Sequence, residues 1–496
     1  MEKKRIDSHC HVFNKDILTK RILLQILCDL ESIVFGRRER GFFDFLKKIK
    51  ETTQQIIRIT KFIKIGFKDN STEVYKVLQG KYLALEKEKY IVTPLMLDIG
   101  YCFAEPDQAQ RSFLDQYNNQ DQILNDEIRK IQEELETYVM DLAQQASTQY
   151  STRSIHLLNK EDNETYKDLL EAVDYLLDVH KELKTATEPL LEEPDNIEKF
   201  RSIFKDTSSF ETQITQMLQL SENPEYKNLV YPFFSVDPRR PDALQLVKQY
   251  VGPNKKFAGV KLYCPLGYSP TDPILFGSPE NEDCIYKYCQ NHNIPITAHC
   301  SDGGFATFAQ KVKITGYIYL ENEQGQEEVQ YVKDQVIDFG SSVLGSDNKG
   351  AAIQKRARIL NHPLIWEKVF EKYNNLTLNL AHFGGEDARG EWRPTIYSII
   401  QNPDYPNAYT DLSCFSDEDR LKEVKEEYFD KKQEVKCKFL YGSDFYLLEL
   451  FENRFRDYLN DFKKEIFKQD FDLISIENPR NFMESVFEVQ KEATLV

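Results

Sequence analysis

At 496 residues, with 41% apolar and 12% aromatic side chains, the chain can bury a sizeable core and does not have a disordered composition. Its net charge of −17 argues against a nucleic-acid backbone as a general partner, and no apolar run approaches the roughly 20 residues that span a bilayer. Nine cysteines without a repeating frame, behind a charged N-terminus lacking a signal-peptide core, read as reduced thiols in a soluble cytoplasmic protein.

The first strand signal is RIDSHCHVF, residues 5–13. His9 and His11 stand two apart, so on a strand they share one face while Cys10 takes the other. Apolar, helix-like stretches follow, and residues 14–90 hold 17 basic and 10 acidic side chains. The second strand is YIVTPLMLDIG (90–100). Residues 102–228 then contain no glycine, and DEIRKIQEELETYVMDLAQQ and ETYKDLLEAVDYLLDVHKELK read as amphipathic helices. Residues 105–228 carry 27 acidic and 12 basic groups, the opposite bias to the first segment.

The third strand, LVYPFFSVDPRR (229–240), ends on Arg239 and Arg240 and leads into a helix, PDALQLVKQYVG. The fourth, FAGVKLYCP (257–265), carries Lys261 and Tyr263 on one face, with a helix at NEDCIYKYCQNHN. The fifth, IPITAHCS (294–301), brings His299 near its end. Beyond it, GYIYLENEQGQEEVQYVKDQVIDFG predicts a hairpin over the site. The sixth, LTLNLAHFGG (376–385), carries His382 and is followed by Arg389, Trp392 and Arg393. NAYTDLSCF (407–415) is the seventh, before a helix at EDRLKEVKEEYFDKK, and KFLYGSDFY (438–446) is the eighth, carrying Asp444.

Strands alternating with helices predict parallel βα units, and eight of them predict an α/β fold of the (β/α)8 TIM barrel type. Large helical insertions follow strand 1 (14–89, basic) and strand 2 (102–228, acidic), and a further lid-like insertion follows strand 5 (302–360). All three would emerge at the catalytic face, as a cap or as a surface for a homo-oligomer or protein partner. His9, His11, Lys261, His299, His382 and Asp444 fall at the strand ends, where such barrels build their sites. Three imidazoles and a carboxylate suit a zinc-like ion and an activated water. Arg239, Arg389 and Arg393 near the rim would suit a substrate carboxylate, or would pair with loop carboxylates. His156, His180, His292 and His362 read as surface residues, Cys284 and Cys289 as thiols without a ligand role, and Cys300 as turned away from the centre.

HxH, GVKLY, TAHCS, LAHFGG and YGSD together resemble the amidohydrolase superfamily. PLMLDIG, FFSVDPRRP and ENPRNF (477–482) resemble its amidohydrolase 2 branch, which includes aminocarboxymuconate semialdehyde decarboxylase-like enzymes. The resemblance spans the eight strands and not the three insertions. It implies one divalent ion, zinc by preference, on His9, His11, His299 and Asp444, with His382 catalytic. Lys261 is either carbamylated, bridging two ions with His299 and His382 on the second, or an unmodified lysine that binds a substrate anion beside Tyr263. Asp444 would shuttle the proton. The implied reaction is hydrolysis of an amide, lactone or ester-type bond in a small anionic substrate. Decarboxylation of a carboxylated substrate is the alternative, and a scaffold acting through the charged insertions is a further one.

Overall fold

A computed structural model describes residues 4–14, 61–102 and 208–487, apart from 63, 67, 253, 323, 342, 344–348, 386–391, 416 and 451–454. Most of the two long helical insertions, His156, His180 and Arg389 lie outside the described residues. The chain divides into two units. One comprises Met1–Phe13, Asn70–Asp107 and Phe210–Val496, and the other Asn14–Asp69 and Gln108–Ser209. Residues 70–89 and 210–228, counted with the insertions in the sequence, thus group with the strands. In the second unit the described residues include short helical turns around 61–66, where Asn14 Nδ2 donates to the Lys68 carbonyl at 3.1 Å.

The first unit opens with β1 (Ile6–Cys10), α1 (Ser71–Glu86), β2 (Ile91–Pro94) and α2 (Ser208–Glu222). Asn70 caps α1 by accepting from Glu73 N at 3.1 Å, as the short polar side chains favoured at helix starts do. Ser71 N and Oγ both donate to Gln216 Oε1, at 2.9 and 2.8 Å, which fastens the start of α1 to α2. The chain continues through β3 (Phe233–Ser235), α3 (Ala243–Tyr250), β4 (Gly259–Leu262), α4 (Ile285–Asn291) and β5 (Ile296–Ser301). A hairpin of β6 (Lys311–Glu321) and β7 (Glu327–Asp338) precedes α5 (Lys349–Asn361) and α6 (Pro363–Lys372). Then come β8 (Leu378–Gly384), α7 (Trp392–Gln401), β9 (Ala408–Asp411), α8 (Glu418–Glu427) and β10 (Phe439–Leu440).

The main sheet runs β3-β4-β5-β8-β9-β10, every pair parallel. β1 and β2 form a second parallel pair. Isolated parallel bridges link Val92 to Val230 and Leu95 to Phe233 on one side, and Cys10 to Phe445 on the other. The arrangement is a TIM-barrel-like α/β fold. All eight predicted barrel strands are present, in chain order apart from the hairpin. They are shorter than the sequence signals: β3 begins only after Pro232, which has no amide proton to give a ladder. Residues of β1, β2, β4, β5, β8 and β9 are buried on both faces, as expected for parallel strands covered by helices.

The hairpin predicted after strand 5 is present and antiparallel. One of its faces packs into a cluster of Val312, Ile314, Ile318, Val332 and Ile337 with Ile359 and Leu360 of α5. One surface expectation fails. His362 is fully buried, its ring stacked on Tyr319 at 3.9 Å, and its Nδ1 accepts from Leu364 N as the cap of α6. The run Asn361-His362-Pro363 is a helix start, with proline at the first helical position, rather than an exposed loop. His292 is exposed as expected. Cys10, Cys284, Cys289 and Cys300 are free and buried, so they act as core thiols.

Candidate functional site

The site is assembled from strand ends of the first unit. β1 carries Asp7 and His9 two residues apart, with His11 the residue just after the strand, and all three are buried. Gly442 lets the eighth strand approach closely, since a Cβ there would lie 2.5 Å from His9 Cβ. The two chains are tied by Ser8 N to Tyr441 O at 3.0 Å and by Asp444 N to His9 O at 2.7 Å. Asp7 adds its carboxylate, accepting from Ser443 N at 2.9 Å, Ser443 Oγ at 2.6 Å and Tyr82 OH at 2.8 Å. These bonds bring Asp444 against the two histidines.

His9, His382 and Asp444 offer ligand atoms within 4.8 Å of one another, and all three are buried. His11 Nδ1 bonds the Leu95 carbonyl at 3.0 Å. A carbonyl only accepts, so that nitrogen carries a proton, and His11 Nε2 lies 3.2 Å from Asp444 Oδ1. His9 repeats the pattern: Nδ1 lies 3.0 Å from Asp411 Oδ2, and Nε2 lies 3.6 Å from the same Asp444 oxygen. Among the described residues neither His9 Nε2 nor Asp444 Oδ1 has a hydrogen-bond partner, although both are buried. Acceptors facing acceptors in a dry site are stabilised by a cation between them. The donor set therefore fits a divalent ion.

The electrostatics agree. Burial pushes His9 down to about 4, against the pull of Asp411, so the ring is neutral at physiological pH. Burial also lowers His382 and His299, the latter well below the usual range. For Asp444, burial alone would raise the carboxyl. The positive charges that His11, His9 and His382 carry when protonated outweigh it and hold the group far below the usual carboxylate range, a stabilisation that neutral rings do not supply. His382 and Asp444 both adopt positive φ, 67° and 51°, conformations that L residues rarely take. Such backbone strain tends to gather at functional sites.

His299 is present but differently engaged. Its ring stacks on Tyr263 at 4.1 Å and lies 4.8 Å from the His382 ring, while its Nε2 bonds the Gly303 carbonyl at 2.9 Å. Tyr263 OH accepts from Phe305 N at 2.7 Å, which seats the loop after β5 over both rings. Lys261 is fully buried, with its Nζ 5.7 Å from the Tyr263 ring centre and without a hydrogen-bond partner. Burial lowers its amine to about 8, against the attraction of Asp411 and Asp444.

Those of the predicted arginines that lie among the described residues, Arg239 and Arg393, are spent on partners, as is Arg240. Arg239 grips Asp237 through Nε and Nη2 at 2.8 and 2.6 Å and donates to the Leu266 carbonyl. Arg240 pairs in the same way with Asp98. Arg393 is buried and donates to the Gly385 carbonyl at 2.7 Å. Two residues escaped the sequence reading. Asp411, at the end of β9, is fully buried and touches both His9 and His382, and Ser413 joins them. Their two-residue spacing at a strand end is the same signal that HxH gives.

A family model described as amidohydrolase matches residues 211–482, more than half of the chain. Among solved structures, a probable 2-pyrone-4,6-dicarboxylic acid hydrolase of Acinetobacter baumannii is similar at 14% identity and a TM-score of 0.29, covering 54% of this chain and 78% of that one. A dihydroorotase of Campylobacter jejuni is similar at 13% identity and a TM-score of 0.26, covering 55% of this chain and 70% of its own. Both likenesses are distant, and neither bears on the site residues. No curated protein matches the sequence.

Proposed function

This chain belongs to the amidohydrolase family and is an enzyme of that class, and on that premise we propose that it hydrolyses an amide, lactone or ester-type bond of a small anionic substrate with the help of one divalent ion. The observation that carries the reading is the buried pair His9 Nε2 and Asp444 Oδ1, which face each other without a hydrogen-bond partner. The residues that would hold the ion are His9, His11 and His382 through ring nitrogens and Asp444 through its carboxylate. His299 would join them by giving up its bond to Gly303. Zinc suits this ligand set best. Such an ion supplies Lewis acidity toward a carbonyl and a lowered pKa for water.

Asp444, as a carboxylate, takes the proton of the attacking water and returns it to the leaving nitrogen or oxygen. Lys261, whose Nζ has no hydrogen-bond partner among the described residues, is the cation that receives a substrate carboxylate, with Tyr263 lining the same side. Arg239 and Arg393 would have to release Asp237 and Gly385 to share that task. The ring of eight parallel strands we take as a closed (β/α)8 barrel, supported by the bridges from β2 toward β3 and from β1 to Phe445. Segments 14–69, 108–209 and 302–360 we take as its insertions, the last a lid.

Elemental analysis of purified protein is expected to return about one divalent ion per chain, and His9→Ala with His11→Ala is expected to remove it. Metal-free protein that turns over amide, lactone or ester substrates at the full rate would overturn the reading. Carbon dioxide release from a carboxylated substrate without a hydrolysis product would move the assignment from hydrolase to lyase.

A further inference from the structure

Asp411 is hydrogen-bonded through both carboxylate oxygens to residues at the strand ends. Its Oδ2 accepts from Asn379 Nδ2 at 2.7 Å and lies 3.0 Å from His9 Nδ1. Its Oδ1 accepts from His382 N at 3.0 Å, from Ser413 N at 3.1 Å and from Ser413 Oγ at a shorter distance. With four donors on its two oxygens besides His9, the carboxyl has no room for a proton of its own and is an acceptor only. His9 must then donate through Nδ1, so in the neutral ring Nε2 is the bare nitrogen.

The second histidine follows by the same bookkeeping. A serine hydroxyl has one hydrogen, and the closer, charged acceptor Asp411 claims it. Ser413 Oγ, 2.9 Å from His382 Nδ1, can therefore only accept from that nitrogen. The Ser413 carbonyl, 3.4 Å from the same nitrogen, also only accepts. Both partners require the proton on Nδ1, so in the neutral ring His382 Nε2 is the bare nitrogen as well. We propose that Asp411 is the positioning residue of the site, fixing the tautomers of His9 directly and His382 through Ser413 so that both turn an unprotonated Nε2 to the reaction centre. This rests on the reading above and sharpens it: neutral His382 is a lone-pair donor, a ligand or base, and does not donate a hydrogen bond to a developing oxyanion.

The test begins with metal-free wild-type protein carrying isotope-labelled histidine, read by long-range proton–nitrogen spectra. His9 and His382 are both expected as the Nδ1–H tautomer, and an Nε2–H tautomer at either overturns the proposal. Asp411→Asn is expected to scramble both tautomers and to weaken Zn²⁺ binding, measured by calorimetry, about 10- to 100-fold, the usual loss when a ligand histidine loses its orienting partner. Unchanged tautomers or unchanged affinity in a folded variant would refute it. Should Asp411→Asn not fold, Ser413→Ala keeps the carboxylate and is expected to mix the tautomers of His382 alone. A fixed His382 in that variant removes Asp411 from its control. Wild-type protein with both Nδ1–H tautomers but no affinity for Zn²⁺ would leave the positioning role standing while the metal reading falls. Tight Zn²⁺ binding with an Nε2–H histidine would do the reverse.

Discussion

Lys261 carries an amine that is wholly buried, without a hydrogen-bond partner, among residues whose charges attract it only partly. Burial lowers its pKa from an ordinary 10.5 to about 8. Because the folded value is the lower one, its contribution to stability is complete above 10.5 and is lost as pH falls through about 8. Near neutral pH the folded protein therefore bears the cost of a buried charge. Lys261→Met keeps the length and removes that charge. In metal-free protein the variant is expected to be more stable than wild type near pH 7, by roughly 1–3 kcal/mol, with the gap shrinking near pH 10. Urea unfolding at the two pH values measures it, and an equal gap at both would show that the amine does not titrate as assigned. At this scale the sequence exposed the residues that end strands, because period-two spacing and strand position are local. Asp411 and Ser413 stayed hidden because their role depends on β8 and β9 lying side by side, with Leu380 beside Thr410. Of the two readings open for Arg239, the loop pairing has a local source: Asp237, two residues earlier, is the carboxylate that it grips.

Among the elements, the loop after β5 has the most exacting fit to the site. Gly304 has φ +91°, and a Cβ there would come 2.4 Å from Tyr263 OH and 2.9 Å from His299 Cε1. Both the backbone conformation and the space demand glycine. Tyr263 OH takes the amide of Phe305 on the next residue, so the loop, the tyrosine and the stacked histidine form one seated unit. Gly304→Ala is expected to lower stability by about 1–3 kcal/mol, combining a strained φ with a forced shift. It is also expected to displace His299 from the Gly303 carbonyl. Thermal unfolding reads the first effect, and the His299 signal in labelled-histidine spectra reads the second. A variant as stable as wild type would mean that the loop does not rest on these rings. The β and α elements themselves were legible from alternation and helical periodicity. Their true ends were not, since proline and the neighbouring strand decide where a ladder stops, as at Pro232.

At the scale of the molecule, every residue assigned to the site belongs to the unit of Met1–Phe13, Asn70–Asp107 and Phe210–Val496. The charge-biased segments were visible in the sequence as departures from its even strand spacing, yet their boundaries were drawn too wide. α1 and most of α2 lie inside the insertions as read, but they are fastened to each other by Ser71 and Gln216 within the strand-bearing unit. Composition marks where a bias begins, whereas side-chain hydrogen bonds decide which helix belongs to which core. If this unit is self-sufficient, its core and its ligands should outlast the loss of the other. A chain in which residues 15–68 and 109–208 are each replaced by a short glycine–serine linker is expected to fold cooperatively and to bind Zn²⁺ within about 10-fold of the full chain. Loop closure grows only slowly with linker length, by roughly 0.6 kcal/mol per doubling, so the linkers themselves should weigh little. Circular dichroism, a single unfolding transition and metal titration provide the measurement. A product without a cooperative transition would show that the strand-bearing unit needs the second one to hold its metal site together.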